Sequence, residues 1–172
     1  MSKKSAVRID PLTLALPLAG VDSHAHLDGQ EFDADRDAVL ERAHAAGIAQ
    51  VGNVFLGPEE YRARRAYFDA HPEVFFLMGV HPCDGQNCTQ ERLAAMRAAF
   101  AEDSRLKAVG EIGLDFYWPD CPREIQYQAL RDQLALARAV ERPVVIHCRD
   151  AEEETLMTLE AEGFAGYPLL WH

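Results

Sequence analysis

Gln133-Leu-Ala-Leu-Ala-Arg-Ala-Val140, then Glu141-Arg142, then Pro143-Val-Val-Ile-His147, is the stretch that decides the fold. Leu130, Leu134, Ala137 and Val140 recur at helical spacing, so 123–140 reads as an amphipathic helix. Two polar residues and a proline later, a short β-branched run reads as a buried strand, 143–147, ending on a histidine. The same alternation extends in both directions. Strands are expected at 18–22, 49–55, 74–80, 106–112, 143–147 and 167–171, and helices at 33–46, 58–70, 89–100, 123–140 and 151–161. Gly47 and Gly163 stop helices, and Pro58 occupies a favoured first helical position. Strands separated by helices argue a parallel α/β domain, read here as one unit over 1–172.

Five residues sit where apolar runs end: His24 and His26 after 18–21, Glu111 after 106–110, His147 after 144–146, and His172 after 169–171. Strand side chains alternate between faces, so His24 and His26, two apart, point the same way. The carboxyl ends of parallel strands are where such sheets bind ligands. In an open sheet, strands one and six often lie far apart, whereas a closed barrel brings their ends to one axis. The five residues therefore favour a closed β/α barrel. Imidazoles and a carboxylate gathered there are the donor set of a metal-dependent hydrolase.

The bulk composition narrows the partners. The chain has 172 residues, 28 acidic against 17 basic, for a formal net charge of -11. That excludes bulk electrostatic binding of nucleic acid but leaves room for an enzyme that meets phosphates through metals and a few local arginines. Cys83, Cys88, Cys121 and Cys148 show no paired metal spacing, so free thiols in a reducing cytoplasm are expected. Cys148, beside His147 on a strand, should face the opposite side. No run reaches transmembrane length. Lys3, Lys4 and Arg8 before an apolar stretch loosely resemble a signal peptide. Asp10, Pro11 and Pro17 interrupt it, and a lead-in to the first strand is the better reading.

From Val21 to His172 the sequence resembles the TatD-type metal-dependent deoxyribonucleases. The resemblance is carried by Asp22-Ser-His-Ala-His-Leu-Asp28, Gly79-Val-His-Pro82, Gly110-Glu-Ile-Gly-Leu-Asp115, Gln133-Leu-Ala-Leu-Ala137 and Pro143-Val-Val-Ile-His-Cys-Arg-Asp150. It implies a (β/α)₈ barrel holding two divalent ions, Mg²⁺, Mn²⁺ or Zn²⁺. His24 and His26 would bind the first, His147 and His172 the second, and Glu111 would bridge both as the central catalytic ligand. It implies DNA as substrate, cleaved by a metal-activated water. A further aspartate, at the end of strand eight, belongs to that pattern. TIM-type barrels of this kind take about 250 residues, so about six of the eight strands are expected here. The chain is then expected to be a truncated product, a fragment of a longer chain or half of a barrel completed by a complementing C-terminal segment, and 1–172 alone is expected to turn over poorly.

Other polar residues are candidates for contact with substrate. His81 ends strand three and either touches substrate or orients a loop. Arg149 meets a phosphate or pairs with Asp150 or Glu153. Asp115, Tyr117 and Trp118 are placed in the loop after strand four, where the aromatics stack on a base or, slightly favoured, close as a packed lid. Asp22 is a candidate to hold a ligating histidine in its tautomer. His44 and His71 read as surface residues. Asp33, Asp35 and Asp37 read as a solvated helix start. A metal hydrolase of a small ester or amide on the same architecture is the competing reading.

Overall fold

A computed structural model describes residues 9–172; Lys3, Lys4 and Arg8 lie outside the described residues. Six strands, β1 (Gly20–Ala25), β2 (Ile48–Phe55), β3 (Val74–Met78), β4 (Leu106–Asp115), β5 (Val144–Arg149) and β6 (Leu169–Trp171), form one sheet in chain order. Every pairing is parallel. Between them run α1 (Arg36–Ala45), α2 (Pro58–Arg64), α3 (Gln90–Glu102), α4 (Arg123–Ala139) and α5 (Glu152–Ala161). A doubly wound sheet reverses its strand order at a switch point. This sheet never reverses, so it curls one way as part of a barrel, as the sequence suggested.

Side chains alternate across the sheet. Phe55, Phe76, Met78, Val109, Val144 and Ile146 are buried against the helices. Val54, Leu77, Ala108 and Val145 form a separate cluster on the other, concave face. Counting on by twos from Val145 puts His147 and Arg149 on the concave side. Cys148 points away, with its sulfur 3.5 Å from the Thr155 hydroxyl of α5. All four thiols are free.

Two strands break that alternation where it matters. In β4 the register slips between Val109 and Ile112, both of which pack on the helix side. Strict alternation from Ala108 would send Glu111 outward; the irregularity turns it to the concave face. In β1 the register slips between Asp22 and Ala25, around His24. Bulges of this kind are a common means of re-aiming a side chain beside a functional site.

β4 also runs three residues past the expected end at 112, so Asp115 belongs to the strand and pairs with Arg149. Gly113 makes this possible. Its φ is +154°, and a Cβ there would collide with the carbonyl of His147. α2 ends earlier than expected, because the chain tightens into a 3₁₀ turn at Arg65–Phe68. Among the described residues, no helix is long and apolar enough to cross a membrane.

His44 is exposed, but His71 is not the plain surface residue expected. Its ring bridges Asp37 of α1 and Glu73 before β3, at 3.0 Å each. The pattern of apolar residues carries no signal for such a bridge between two polar segments. Burial works to lower the His71 pKa, and the two carboxylates outweigh it, for a net rise above 6.5. The stabilisation is therefore complete below the ordinary value and lost as pH rises through the raised one. His71→Gln is expected to lower stability at pH 6 by on the order of 1 kcal/mol and to flatten its fall above pH 6.5. Urea midpoints across that range check this; an unchanged slope would contradict it.

Candidate metal centre

Glu111 is buried at the centre of five imidazoles. Its Oε2 lies 3.3 Å from His24 Nε2 and 3.5 Å from His26 Nε2. Its Oε1 lies 2.6 Å from His147 Nδ1, 3.0 Å from His172 Nε2 and 3.8 Å from His81 Nε2. The two oxygens thus divide the histidines, His24 and His26 on Oε2 against His147, His172 and, farther off, His81 on Oε1. A second grouping is also present. Donor atoms of His24, Glu111 and His172 lie within 4.8 Å of one another, as do those of His81, Asp115 and His147.

The second set is less suited to hold an ion than its distances suggest. His81 Nδ1 accepts the backbone N–H of Cys83 at 3.2 Å. In neutral imidazole the proton then sits on Nε2, which becomes a donor facing the site rather than a lone pair. Asp115 is almost fully buried and already engaged. Its Oδ1 accepts the backbone N–H groups of Tyr117 and Trp118, both at 3.0 Å, and its Oδ2 lies 2.9 Å from His147 Nε2. Asp115 therefore stands behind His147 and reaches the centre through that ring.

The electrostatics follow from this crowding. Burial alone would raise the Glu111 pKa, but hydrogen bonds from His147, His24 and His26 hold it far below the carboxylate range. The hydrogen bond to Glu111 raises His26. Burial opposes a charged His147, and Glu111 and Asp115 outweigh it to give a net rise. His81 and His172 are lowered, chiefly by burial.

The donor set fits divalent ions. His24 Nε2 and His26 Nε2 stand 3.2 Å apart, where two neutral lone pairs would repel unless a proton or a cation lay between them. His24 Nδ1 is buried and has no hydrogen-bond partner among the described residues. Asp22 does not supply one, because its carboxylate accepts the backbone N–H of His24 instead.

Several supporting residues escaped the sequence reading. Gln133 and Gln126, seven apart on α4, are buried on the helix's apolar face. Gln133 accepts from Val80 N–H at 2.6 Å and donates to Val80 O at 3.0 Å, fixing the backbone just before His81. Gln126 makes the same pair of bonds to the Asp115 backbone, both at 2.8 Å. Asn53, at the end of β2, clasps Asp28 through its backbone N–H and its carboxylate, anchoring the turn after His26. Two glutamines in one stripe of leucines were the available signal.

Arg149 is exposed and pairs with neither Asp150 nor Glu153; its guanidinium lies 3.9 Å over the Tyr117 ring. The reason is β5 itself. Arg149 points to the concave side, and the next residue, Asp150, turns away at φ +53°.

The hydrogen bond from Asp115 to the far nitrogen of His147 is the kind that orients a ligating ring. Asp115→Asn is expected to weaken metal binding roughly 10–100-fold with little change in fold. Equilibrium dialysis against Zn²⁺ or Mn²⁺ measures this; wild-type affinity in the variant would contradict it.

Comparison with known proteins converges on one family. The model of TatD related DNase matches residues 21–172. A Bacillus subtilis protein described as uncharacterized metal-dependent hydrolase YabD is 35% identical over 144 residues, covering 83% of this chain and 55% of its own length. The 3'-5' ssDNA/RNA exonuclease TatD of Cronobacter sakazakii is 33% identical over 139 residues, covering 81% of this chain and 52% of its own length. The crystal structure of YJJV, a TatD homolog from Escherichia coli, superposes with TM-score 0.77 at 28% identity, over 84% of this chain and 56% of that one. A TatD family hydrolase from Entamoeba histolytica shares the fold, with TM-score 0.78 at 19% identity. The chain spans about half the length of the curated relatives it matches. None of these findings supports a separate chain that completes the barrel.

Proposed function

The chain belongs to the TatD related DNase family, and on that premise we propose that it is a nuclease that hydrolyses DNA phosphodiester bonds with two divalent ions held around Glu111. One observation carries this reading most directly. One oxygen of the buried carboxylate faces His24 and His26, and the other faces His147 and His172, with His81 farther off. A bridging carboxylate between two ions needs that division. The exonuclease named among the relatives supports a nucleic-acid substrate. The imidazole-rich donor set favours Zn²⁺ over Mg²⁺ or Mn²⁺.

When bound, such an ion pair supplies a water of lowered pKa and neutralises charge on the phosphodiester. The chain's own groups do the rest. Glu111 stays ionised and holds the two halves of the site together. Asp115 fixes the His147 ring through its far nitrogen. His81, neutral and locked by the Cys83 N–H, offers an Nε2–H donor to a phosphoryl oxygen where charge develops. Arg149, free of any carboxylate partner among the described residues, meets a flanking phosphate.

The test is chelator-sensitive cleavage of an end-labelled single-stranded oligonucleotide by the natively expressed protein, with Mg²⁺, Mn²⁺ and Zn²⁺ in turn. Metal-dependent shortening supports the reading. Hydrolysis of a small carboxylic ester, with no cleavage of DNA or RNA under any of the ions, overturns it.

A further inference from the structure

Residues 9–19 lead into β1, and every one of them is exposed. Ile9, Leu12, Leu14, Leu16 and Leu18 stand 50–67% exposed. Elsewhere among the described residues, large apolar side chains that face solvent stand singly or in pairs, which is ordinary for a folded surface. Five of them within residues 9–18 make a patch.

The segment does not hide this surface by its own folding. Its one regular piece is a single 3₁₀ turn, Pro11–Leu14, capped by Asp10, whose carboxylate accepts the Leu12 N–H at 3.0 Å. Ala15 then enters the left-handed region at φ +46°, and Pro17 bars continuation as helix. The base of the segment is nevertheless fixed. The Gly47 carbonyl, in the turn before β2, accepts the N–H groups of Ala19 at 3.1 Å and Gly20 at 2.8 Å. The leucines are therefore presented from an anchored base at the amino ends of β1 and β2. His26, His81 and His172 lie past the carboxyl ends of β1, β3 and β6, at the opposite end of the sheet. The family match begins at residue 21, so the segment stands outside the part of the chain for which the family accounts.

Charge indicates what this face meets. Residues 1–9 contain Lys3, Lys4 and Arg8 and no carboxylate, in a chain of net charge -11. The first acid, Asp10, is committed to its turn. Cations placed just before a run of exposed leucines match a surface that is anionic outside and hydrocarbon within. The acidic remainder of the chain is repelled by such a surface, which leaves this end to approach it. Among the described residues no helix is long and apolar enough to cross a membrane, so the contact is with the surface alone.

We propose that the segment from Lys3 to Leu18 docks the protein on an anionic phospholipid bilayer, with the leucines at the boundary of headgroups and acyl chains and the three cations on the lipid phosphates. The metal centre, at the other end of the strands, then faces away from the bilayer and stays open to substrate. The proposal is independent of which bond that centre cleaves.

The test is cosedimentation of the natively expressed protein with vesicles of equal parts phosphatidylglycerol and phosphatidylcholine, and with vesicles of phosphatidylcholine alone. The expected result is binding to the mixed vesicles that is weakened by salt and roughly tenfold or more weaker on phosphatidylcholine alone. Two variants divide the contributions. Leu12→Asp with Leu14→Asp, and separately Lys3→Glu with Lys4→Glu, are each expected to lower the partition coefficient roughly tenfold or more. Both should keep wild-type circular dichroism, because the leucines are exposed and neither variant touches the core. No binding to either vesicle overturns the proposal. Equal binding to the two vesicles overturns it, as does binding that the leucine variant retains, which would be charge alone. A dimer that dissociates in the leucine variant, with no vesicle binding, would assign the face to a second copy and overturn the lipid contact.

Discussion

Glu111→Gln is expected to strip the natively expressed protein of its divalent ions and to lower metal-dependent turnover by roughly 10³-fold or more. The size follows from the position of the carboxylate. It is buried, and its two oxygens serve different imidazoles, His24 and His26 on one and His147, His172 and the more distant His81 on the other. An amide of the same shape presents one acceptor and one NH₂ donor, so it serves at most one half of the site. It also removes the negative charge that raises His26 and His147. In the metal-free wild-type protein that charge has a pH signature. The depressed Glu111 pKa means that its stabilisation is present above the ordinary value of 4.5 and is lost as pH falls through the lowered one. Atomic absorption and turnover on the same preparation measure the main effect. Retention of wild-type metal content by the variant would contradict it.

His81→Phe is expected to lower kcat roughly 10²-fold while leaving metal content intact. The ring is approximately replaced in shape, while its Nε2–H donor and the Nδ1 acceptor of the Cys83 N–H are both lost. Because Nδ1 is already committed to the Cys83 N–H, His81 is a donor toward the centre and not a ligand. A ligand role predicts the opposite division, with metal content falling alongside rate. The pH profile separates the two further. Burial lowers the His81 pKa, so the neutral donor form prevails from below pH 6.5 upward, and its contribution should not fade across neutral pH. Loss of bound metal in His81→Phe would sink the donor assignment.

The architecture was legible because it is written in periodicity. Apolar runs of strand length, helices stopped by Gly47 and Gly163, and a strand opening after Pro143 require only local rules. The His24 and His26 pair was legible for the same reason, since i and i+2 share a face. Glu111 was found by its place at the end of an apolar run, but how it faces inward was not legible. It depends on a register slip between β4 and β5, a relation between two strands that no single strand shows. The end of β4 was missed for a related reason. Gly113 looks like a strand terminator in sequence, whereas in space it is the position at which the β5 backbone comes too close for a Cβ.

The supporting polar groups were hidden by distance along the chain. Gln133 reaches Val80, Asn53 reaches Asp28, and His71 reaches Asp37. Each bond satisfies a group whose partner is more than twenty residues away, so nothing in a local window signals it. Arg149 shows the converse. Its sequence neighbours offered carboxylates, and the fold gave it the ring of Tyr117 instead.

The most direct test of the account is the metal stoichiometry of the natively expressed protein, measured beside Glu111→Gln by isothermal titration with Zn²⁺ and Mn²⁺. Two ions per chain in the wild type, with the variant losing at least one, is the result expected for a carboxylate that joins two pairs of imidazoles. Equal stoichiometry and affinity in the two proteins would contradict it, and the cluster around Glu111 would then be a hydrogen-bonded core rather than a metal centre.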